Sequence, residues 1–211
     1  MDEAAYAAAR SRMIAEQIRA RGVRDQRVLD AMNRVPRHLF VPGAERHEAY
    51  EDHPIPIGFG QTISQPYIVA FMTEALGVEP SHRVLEIGAG SGYQTAVLAE
   101  LGATVYAVEV IEALAIRARQ LLDELHYANV HLRAGDGYAG WPEHAPYDRI
   151  IAAAAPDDIP RAFIDQLVEG GILAIPLGVI NQQLHVSRRV GGKQETIGTM
   201  PVRFVPMIKK A

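Results

Sequence analysis

The run Leu85-Glu86-Ile87-Gly88-Ala89-Gly90-Ser91-Gly92-Tyr93 limits what this chain can fold into more than any other segment. It reads as an apolar strand that passes through a glycine loop into a helix, which places a ligand at the carboxyl edge of the strand. Glycines suit that corner because the backbone must turn tightly and let a ligand approach without a Cβ in the way. The spacing is Gly-x-Gly-x-Gly, not the Gly-x-Gly-x-x-Gly of a dinucleotide pyrophosphate site, and no Gly-Lys-Ser/Thr follows as in a phosphate-binding loop. Glu86 sits inside the strand ahead of the first glycine, where a carboxylate repels phosphates but can help hold an ammonium group, directly or through water.

Around this loop the chain alternates between two periodicities. Residues 83–87, 104–108, 130–133, 149–153 and 172–175 are strand-like, and 92–101, 111–126 and 160–167 are helical. Apolar strands separated by helices predict an α/β fold with a mostly parallel sheet covered on both faces. The last stretch differs: 183–190 and 193–200, joined by Gly191-Gly192, predict an antiparallel hairpin. Ahead of the core, 4–21 reads as an amphipathic helix, and a second follows Asp25 as N-cap, with Leu29, Met32 and Val35 on one face until Pro36. Pro54, Pro56, Gly58 and Gly60 punctuate the segment from Pro42 to Gln65, which predicts a loop; a further helix is expected over 66–76. The 211 residues suit a single domain. Within it, 1–80 forms N-terminal helices and a loop, 81–180 the core, and 181–211 the C-terminal strands.

Two more acidic residues fall at strand ends. Glu109 closes the second core strand, where a carboxylate can accept hydrogen bonds from both hydroxyls of a ribose. Asp136, in Gly135-Asp136-Gly137, can accept from an adenine amino group, although Gly-Asp-Gly is equally good turn chemistry. With Glu86 they describe a nucleoside carrying an amino acid.

Composition narrows the remaining classes. A net charge of -4 provides no basic field for a polyanion, so nucleic acid is not expected as a partner. Cysteine is absent, which excludes disulfides and thiolate metal sites and suits a reducing compartment. The N-terminus has no secretory layout, and no apolar run reaches the ~18 residues of a membrane span. A cytoplasmic protein without a membrane partner is expected. His47-Glu48 lacks the second histidine of a His-Glu-x-x-His site, so no metal is expected. Trp141, the only tryptophan, reads as core packing in preference to an adenine platform.

The strand, loop and acidic pattern resembles the S-adenosylmethionine-dependent methyltransferases with a Rossmann-like core. Pro56-Ile57-Gly58-Phe59-Gly60-Gln61-Thr62-Ile63-Ser64-Gln65-Pro66 is more specific: it resembles the pre-core loop of the protein-L-isoaspartate O-methyltransferases. Val35-Pro36-Arg37, Phe40-Val41, Ala154-Ala155-Pro156 and Arg203-Phe204-Val205-Pro206 extend the resemblance over roughly residues 10–208. Phe59 departs from it, standing where many relatives have a polar residue, and so does Ala152-Ala153, in place of a bulkier or hydroxyl-bearing pair.

The resemblance implies methyl transfer from S-adenosylmethionine to the carboxylate of isoaspartyl residues in damaged proteins and peptides, leaving S-adenosylhomocysteine. It implies Ser64 as the residue that orients the carboxylate, beside Thr62 and Gln65, with Phe204 and Val205 walling the substrate backbone. It places Ile63, Ser64, Glu86, Gly88, Ala89, Gly90, Gly92, Glu109, Val110, Asp136 and Gly137 at the cofactor. A monomer is expected. Local chemistry leaves other roles open: Thr62 to Gln65 fits a capping box, Ser64 can cap the helix that Pro66 opens, and Phe204-Val205 fits an apolar terminal strand. Two rivals remain: a methyltransferase of the same fold with a dedicated substrate, and a protein that binds the cofactor without transferring its methyl group.

Overall fold

The structure, a computed structural model, describes residues 1–209. The segment read as the N-terminal helix starts as α1 (Glu3–Arg12), capped by the Asp2 side chain, which accepts from the Ala5 N–H at 2.9 Å. It continues through a π-helical stretch, Met13–Ile18, into a 3₁₀ turn, Arg19–Arg21, and stops at Gly22 in the left-handed region. α1 buries no residue fully, whereas the π-helical stretch buries Met13, Ile14 and Ile18, so the wider winding is where this run docks on the core. α2 (Gln26–Arg34) begins at Asp25, whose carboxylate accepts from the Arg27 N–H at 2.9 Å, and ends before Pro36.

Residues 42–65 are more regular than their prolines and glycines suggest. Ile55–Gly58 (β1) and Gln61–Ile63 (β2) form a small antiparallel hairpin, turned by Phe59 at φ +55° and Gly60 at φ +71°. Ile55, Ile57 and Ile63 are buried while Pro56 and Gly58 are exposed, a period-two pattern masked in the sequence by turn-forming residues. α3 (Pro66–Leu76) follows, ended by Gly77 at φ +56°.

The core then runs β3 (Arg83–Ile87), α4 (Tyr93–Glu100), β4 (Thr104–Glu109), α5 (Glu112–Glu124), β5 (Val130–Ala134), β6 (Tyr147–Ala152), α6 (Arg161–Gln166), β7 (Leu167–Leu177), β8 (Gln183–Val190) and β9 (Lys193–Pro201). The seven strands lie in the order β5-β4-β3-β6-β7-β8-β9. Those from β5 to β7 are parallel, and β8 pairs antiparallel with both neighbours. Chain direction reverses its march across the sheet at β3, which pairs with β4 on one side and β6 on the other. That crossing point, at the carboxyl ends of parallel strands, is where doubly wound sheets hold ligands.

Alternation sends side chains to opposite faces. Val84, Val105 and Ala107 join the larger core cluster, which includes residues of the N-terminal helices and of α3, α4 and α5. Leu85, Ile87, Tyr106 and Val108 join a second cluster with Tyr147, Phe163 and Leu173 on the other face. Each fully buried Leu or Ile contributes about 1.5–3 kcal/mol of stabilisation. Glu86 faces the first cluster with no exposed surface, a carboxylate among hydrocarbon side chains. Trp141 is half-buried, edge-on to Tyr106 with ring centroids 5.9 Å apart and under the Arg133 guanidinium, the packing role read from the sequence. Among the described residues, no helix is long and apolar enough to cross a membrane, and no cluster of side chains suits a metal ion.

Candidate active site

The glycine loop bends as its residues require. Gly88, Gly90 and Gly92 all have positive φ, at +85°, +54° and +86°, where a side chain is strained. The Gly88 N–H donates to the Val108 carbonyl at 2.8 Å, so the loop leaves β3 by hooking onto β4. The Gly90 N–H donates to Glu109 Oε2 at 2.8 Å, and the Ile111 N–H donates to Glu109 Oε1 at 2.9 Å. Both carboxylate oxygens are thus anchored by backbone, while each keeps a lone pair for a hydroxyl.

A pocket open to solvent lies against this loop. Gly88, Ala89, Gly90, Glu109, Val110 and Gly137 line it from the sheet side, and Ile63 and Ser64 line it from the β1–β2 side. Ile87, Val108, Met207 and Ile208 supply apolar surface. Gly137 has no room for a side chain: a Cβ there would lie 2.7 Å from Ile87 Cγ2 and 3.1 Å from Met207 Cε.

Three residues assigned to the cofactor do not reach the pocket surface. Gly92 instead packs on α5, where a Cβ would stand 3.3 Å from both Ala118 Cβ and Leu122 Cδ1, so its role is in helix packing. Asp136 turns its Oδ1 to the Tyr138 N–H at 2.9 Å, the turn role that the sequence left open, while its neighbour Gly137 meets the pocket. Glu86 lies beneath the loop. Burial pushes its carboxyl up to about 8; the Thr95 hydroxyl opposes the shift, and the Glu109 carboxylate adds to it. Neither Glu86 oxygen, nor the Thr95 hydroxyl, has a hydrogen bond of acceptable geometry. An orphaned carboxyl under a glycine loop, which a nearby cation would draw to its ionised form, fits the ammonium end of S-adenosylmethionine reached through water, as Glu109 fits its ribose and the apolar wall its adenine.

A second, more open groove runs beside the pocket. Thr62, Ser64, Gln65, Tyr67, Phe204 and Val205 line it, and Thr62, Ser64, Ala153 and Val205 belong to both cavities. These shared residues form the wall through which a group held in the pocket meets one lying in the groove. The Ser64 hydroxyl does not cap α3: Gln65 is the N-cap residue, and no side chain bonds the first turn. Gln65 Nε2 donates to the Asp52 carbonyl at 3.0 Å, which ties the groove to the preceding loop. Phe204 and Val205 follow β9 outside any regular strand, held where the Ala155 N–H donates to the Val205 carbonyl at 2.9 Å. Of the two departures, Phe59 is exposed at the hairpin tip away from both cavities, whereas Ala153 stands in the shared wall.

The family model described as protein-L-isoaspartate(D-aspartate) O-methyltransferase matches residues 8–211. The chain belongs to that family. Among similar sequences, the protein-L-isoaspartate O-methyltransferase of Gloeobacter violaceus is 54% identical over 200 residues, covering 94% of this chain and 98% of the relative. That of Synechococcus sp. (strain JA-2-3B'a(2-13)) is 52% identical, covering 96% and 86%. A solved protein-L-isoaspartate O-methyltransferase superposes with a TM-score of 0.85 at 28% identity, covering 93% of this chain and 65% of the other. A Plasmodium falciparum structure described as a protein-L-isoaspartate O-methyltransferase in complex with S-adenosyl-L-homocysteine has the same fold, with a TM-score of 0.80 at 24% identity over 93% and 97%.

In this isoaspartate methyltransferase family member the pocket also draws on residues the sequence did not single out. Gln94, in the first turn of α4, lines it and donates from Nε2 to Thr73 Oγ1 at 2.9 Å. Its place directly after the glycine loop was the available signal. Gln61 and Tyr93, which adjoin Thr62 and Gly92 in the two motifs, also line it, and Met207 is brought there by long-range packing that local spacing does not encode.

Proposed function

We propose that the chain transfers a methyl group from S-adenosylmethionine to the free carboxylate of L-isoaspartyl residues in damaged proteins. Membership of the family supports this, and so do relatives of that name at more than half identity. The observation that carries the reading is the wall of Thr62, Ser64, Ala153 and Val205 shared by pocket and groove. When bound, S-adenosylmethionine supplies a methyl group already electrophilic on its sulfonium.

A carboxylate, with a reference pKa of ~4, enters already ionised, so no general base is needed. The residues of the shared wall have three tasks: to orient one carboxylate oxygen, to hold it in line with the donor, and to keep water out. Positioning of this kind supplies ~7–11 kcal/mol of barrier reduction. Ser64, whose hydroxyl is not used for capping, serves as the orienting donor beside Thr62 and Gln65. Phe204 and Val205 hold the peptide along the groove. The ester formed carries a better leaving group than the carboxylate; the next backbone nitrogen attacks its carbonyl and loses its proton, the methoxy group departs as methanol, and a succinimide remains. Its hydrolysis returns some aspartate without the enzyme.

The same proposal has the chain acting as a cytoplasmic monomer, with neither nucleic acid nor membrane as partner. The net charge of -4 and the absence of cysteine support it. Light scattering tests the oligomeric state. Repeated turnover on an isoaspartyl peptide tests the chemistry: partial conversion to the aspartyl form is expected, and cofactor consumption with no conversion contradicts it.

A further inference from the structure

Arg37, from the Val35-Pro36-Arg37 motif, is fully buried in the 3₁₀ turn Arg37–Phe40 and pairs with no carboxylate among the described residues. Burial pushes its guanidinium down to about 10, so it keeps its charge at neutral pH. Placing an unpaired charge in a core is costly, and a methionine would fill the space without that cost. The contacts show what the guanidinium does instead.

Nε donates to the Ala49 carbonyl at 2.7 Å, and Nη2 donates to the Ser64 carbonyl at 2.9 Å. The guanidinium carbon stands 4.8 Å from the centre of the Tyr93 ring, which opens α4 and lines the pocket. One planar cation therefore touches the chain before β1, the junction between β2 and α3, and the helix that follows the glycine loop. Side-chain anchors at that junction are few: Gln65 Nε2 reaches the Asp52 carbonyl at 3.0 Å, but no side chain bonds the first turn of α3, and the Ser64 hydroxyl bonds no other described residue. Holding the Ser64 carbonyl fixes the peptide plane that follows Ser64, and so the direction from which its hydroxyl enters the shared wall. Lysine offers a point charge without the two-pronged geometry needed to hold both carbonyls.

We infer that Arg37 is a positioning residue for methyl transfer, locking the Ser64 junction against Tyr93 so that the serine hydroxyl is aimed across the wall between cofactor pocket and peptide groove. The inference rests on the role given to Ser64 above.

The test compares Arg37→Lys and Arg37→Met with Ser64→Ala and with the double variant Arg37→Lys/Ser64→Ala, all in the full chain. Amide hydrogen exchange over 62–66 reads the lock without reference to activity, so Arg37→Lys should accelerate exchange there while β3 and β4 stay protected. Arg37→Lys should lower kcat/KM on an isoaspartyl peptide by about tenfold to a hundredfold, the worth of one charge-assisted hydrogen bond, with S-adenosylhomocysteine affinity close to that of the parent. In the Ser64→Ala background the same change should cost little more. Unchanged exchange over 62–66 overturns the lock whatever Ser64 does. Full additivity with Ser64→Ala overturns the route through the serine. Parental turnover by Ser64→Ala alone, with exchange accelerated in Arg37→Lys, removes the reading of Ser64 and with it the catalytic part of the inference. If Arg37→Met does not fold, Arg37→Lys and its exchange profile still decide the matter.

Discussion

Gly90 donates its backbone N–H to the Glu109 carboxylate at 2.8 Å, joining the glycine loop to the end of the neighbouring strand. Because Ile111 holds the other oxygen, one side chain both closes the pocket floor and presents its remaining lone pairs to a ribose. Glu109→Ala removes two charge-assisted hydrogen bonds of ~1.5–3 kcal/mol each, together with the ligand contact. The expected result in calorimetry is S-adenosylhomocysteine binding weakened by about a hundredfold or more. Glu109→Gln should fall in between. Parental affinity in Glu109→Ala would place the ribose elsewhere.

Glu86 gives the fold a pH dependence of defined sign. Its carboxyl is pushed from 4.5 up to about 8 by burial, so between those values the native state binds a proton that the unfolded chain has lost. Stability should then fall as pH rises from about 4.5 to about 8, by an amount on the order of 5 kcal/mol. Glu86→Gln, uncharged at every pH, should be less destabilised at pH ~8 than the parent and show a flatter profile in denaturant titrations without cofactor. Parallel profiles for the two proteins would show that Glu86 is not the source.

Ser64→Ala separates orientation from binding. The hydroxyl caps no helix, so unfolding free energy should change by less than about 0.5 kcal/mol. Its absence from the shared wall should lower kcat on an isoaspartyl peptide by about a hundredfold, as loss of an aimed donor does, with cofactor affinity retained. Cofactor binding abolished by this change would move the role of Ser64 from the substrate to the pocket.

Gly92 carries structure more than ligand. An alanine there is strained at φ +86° and presses its Cβ to within 3.3 Å of Ala118 and Leu122. Gly92→Ala should cost ~1–3 kcal/mol of stability. Cofactor affinity, measured well below the melting range, should weaken far less than in Glu109→Ala. The reverse ranking would return Gly92 to the pocket.

The parallel core was legible in the sequence because strands buried on both faces are apolar throughout and the helices between them keep another period. β7 was read only at Ile172–Ile175 yet spans Leu167–Leu177: Gly170-Gly171 interrupts the pattern, and the pairing with β6 shifts register there. The β1–β2 hairpin was read as a loop, since Phe59 takes a left-handed conformation in a turn rich in breakers. Site residues lying on the glycine loop or the 62–65 segment were legible, because short stretches of chain hold them together. The packing role of Gly92 and the reach of Arg37 to Ser64 were not. Both depend on contacts made only after distant helices and loops come together.

The central claim is tested most directly by offering labelled S-adenosylmethionine with a matched pair of peptides, one carrying isoaspartate and the other aspartate at the same position. Membership of the family, with the wall shared by pocket and groove, predicts base-labile label on the isoaspartyl peptide alone. Label on both peptides alike, or on neither while the cofactor still binds, would contradict it.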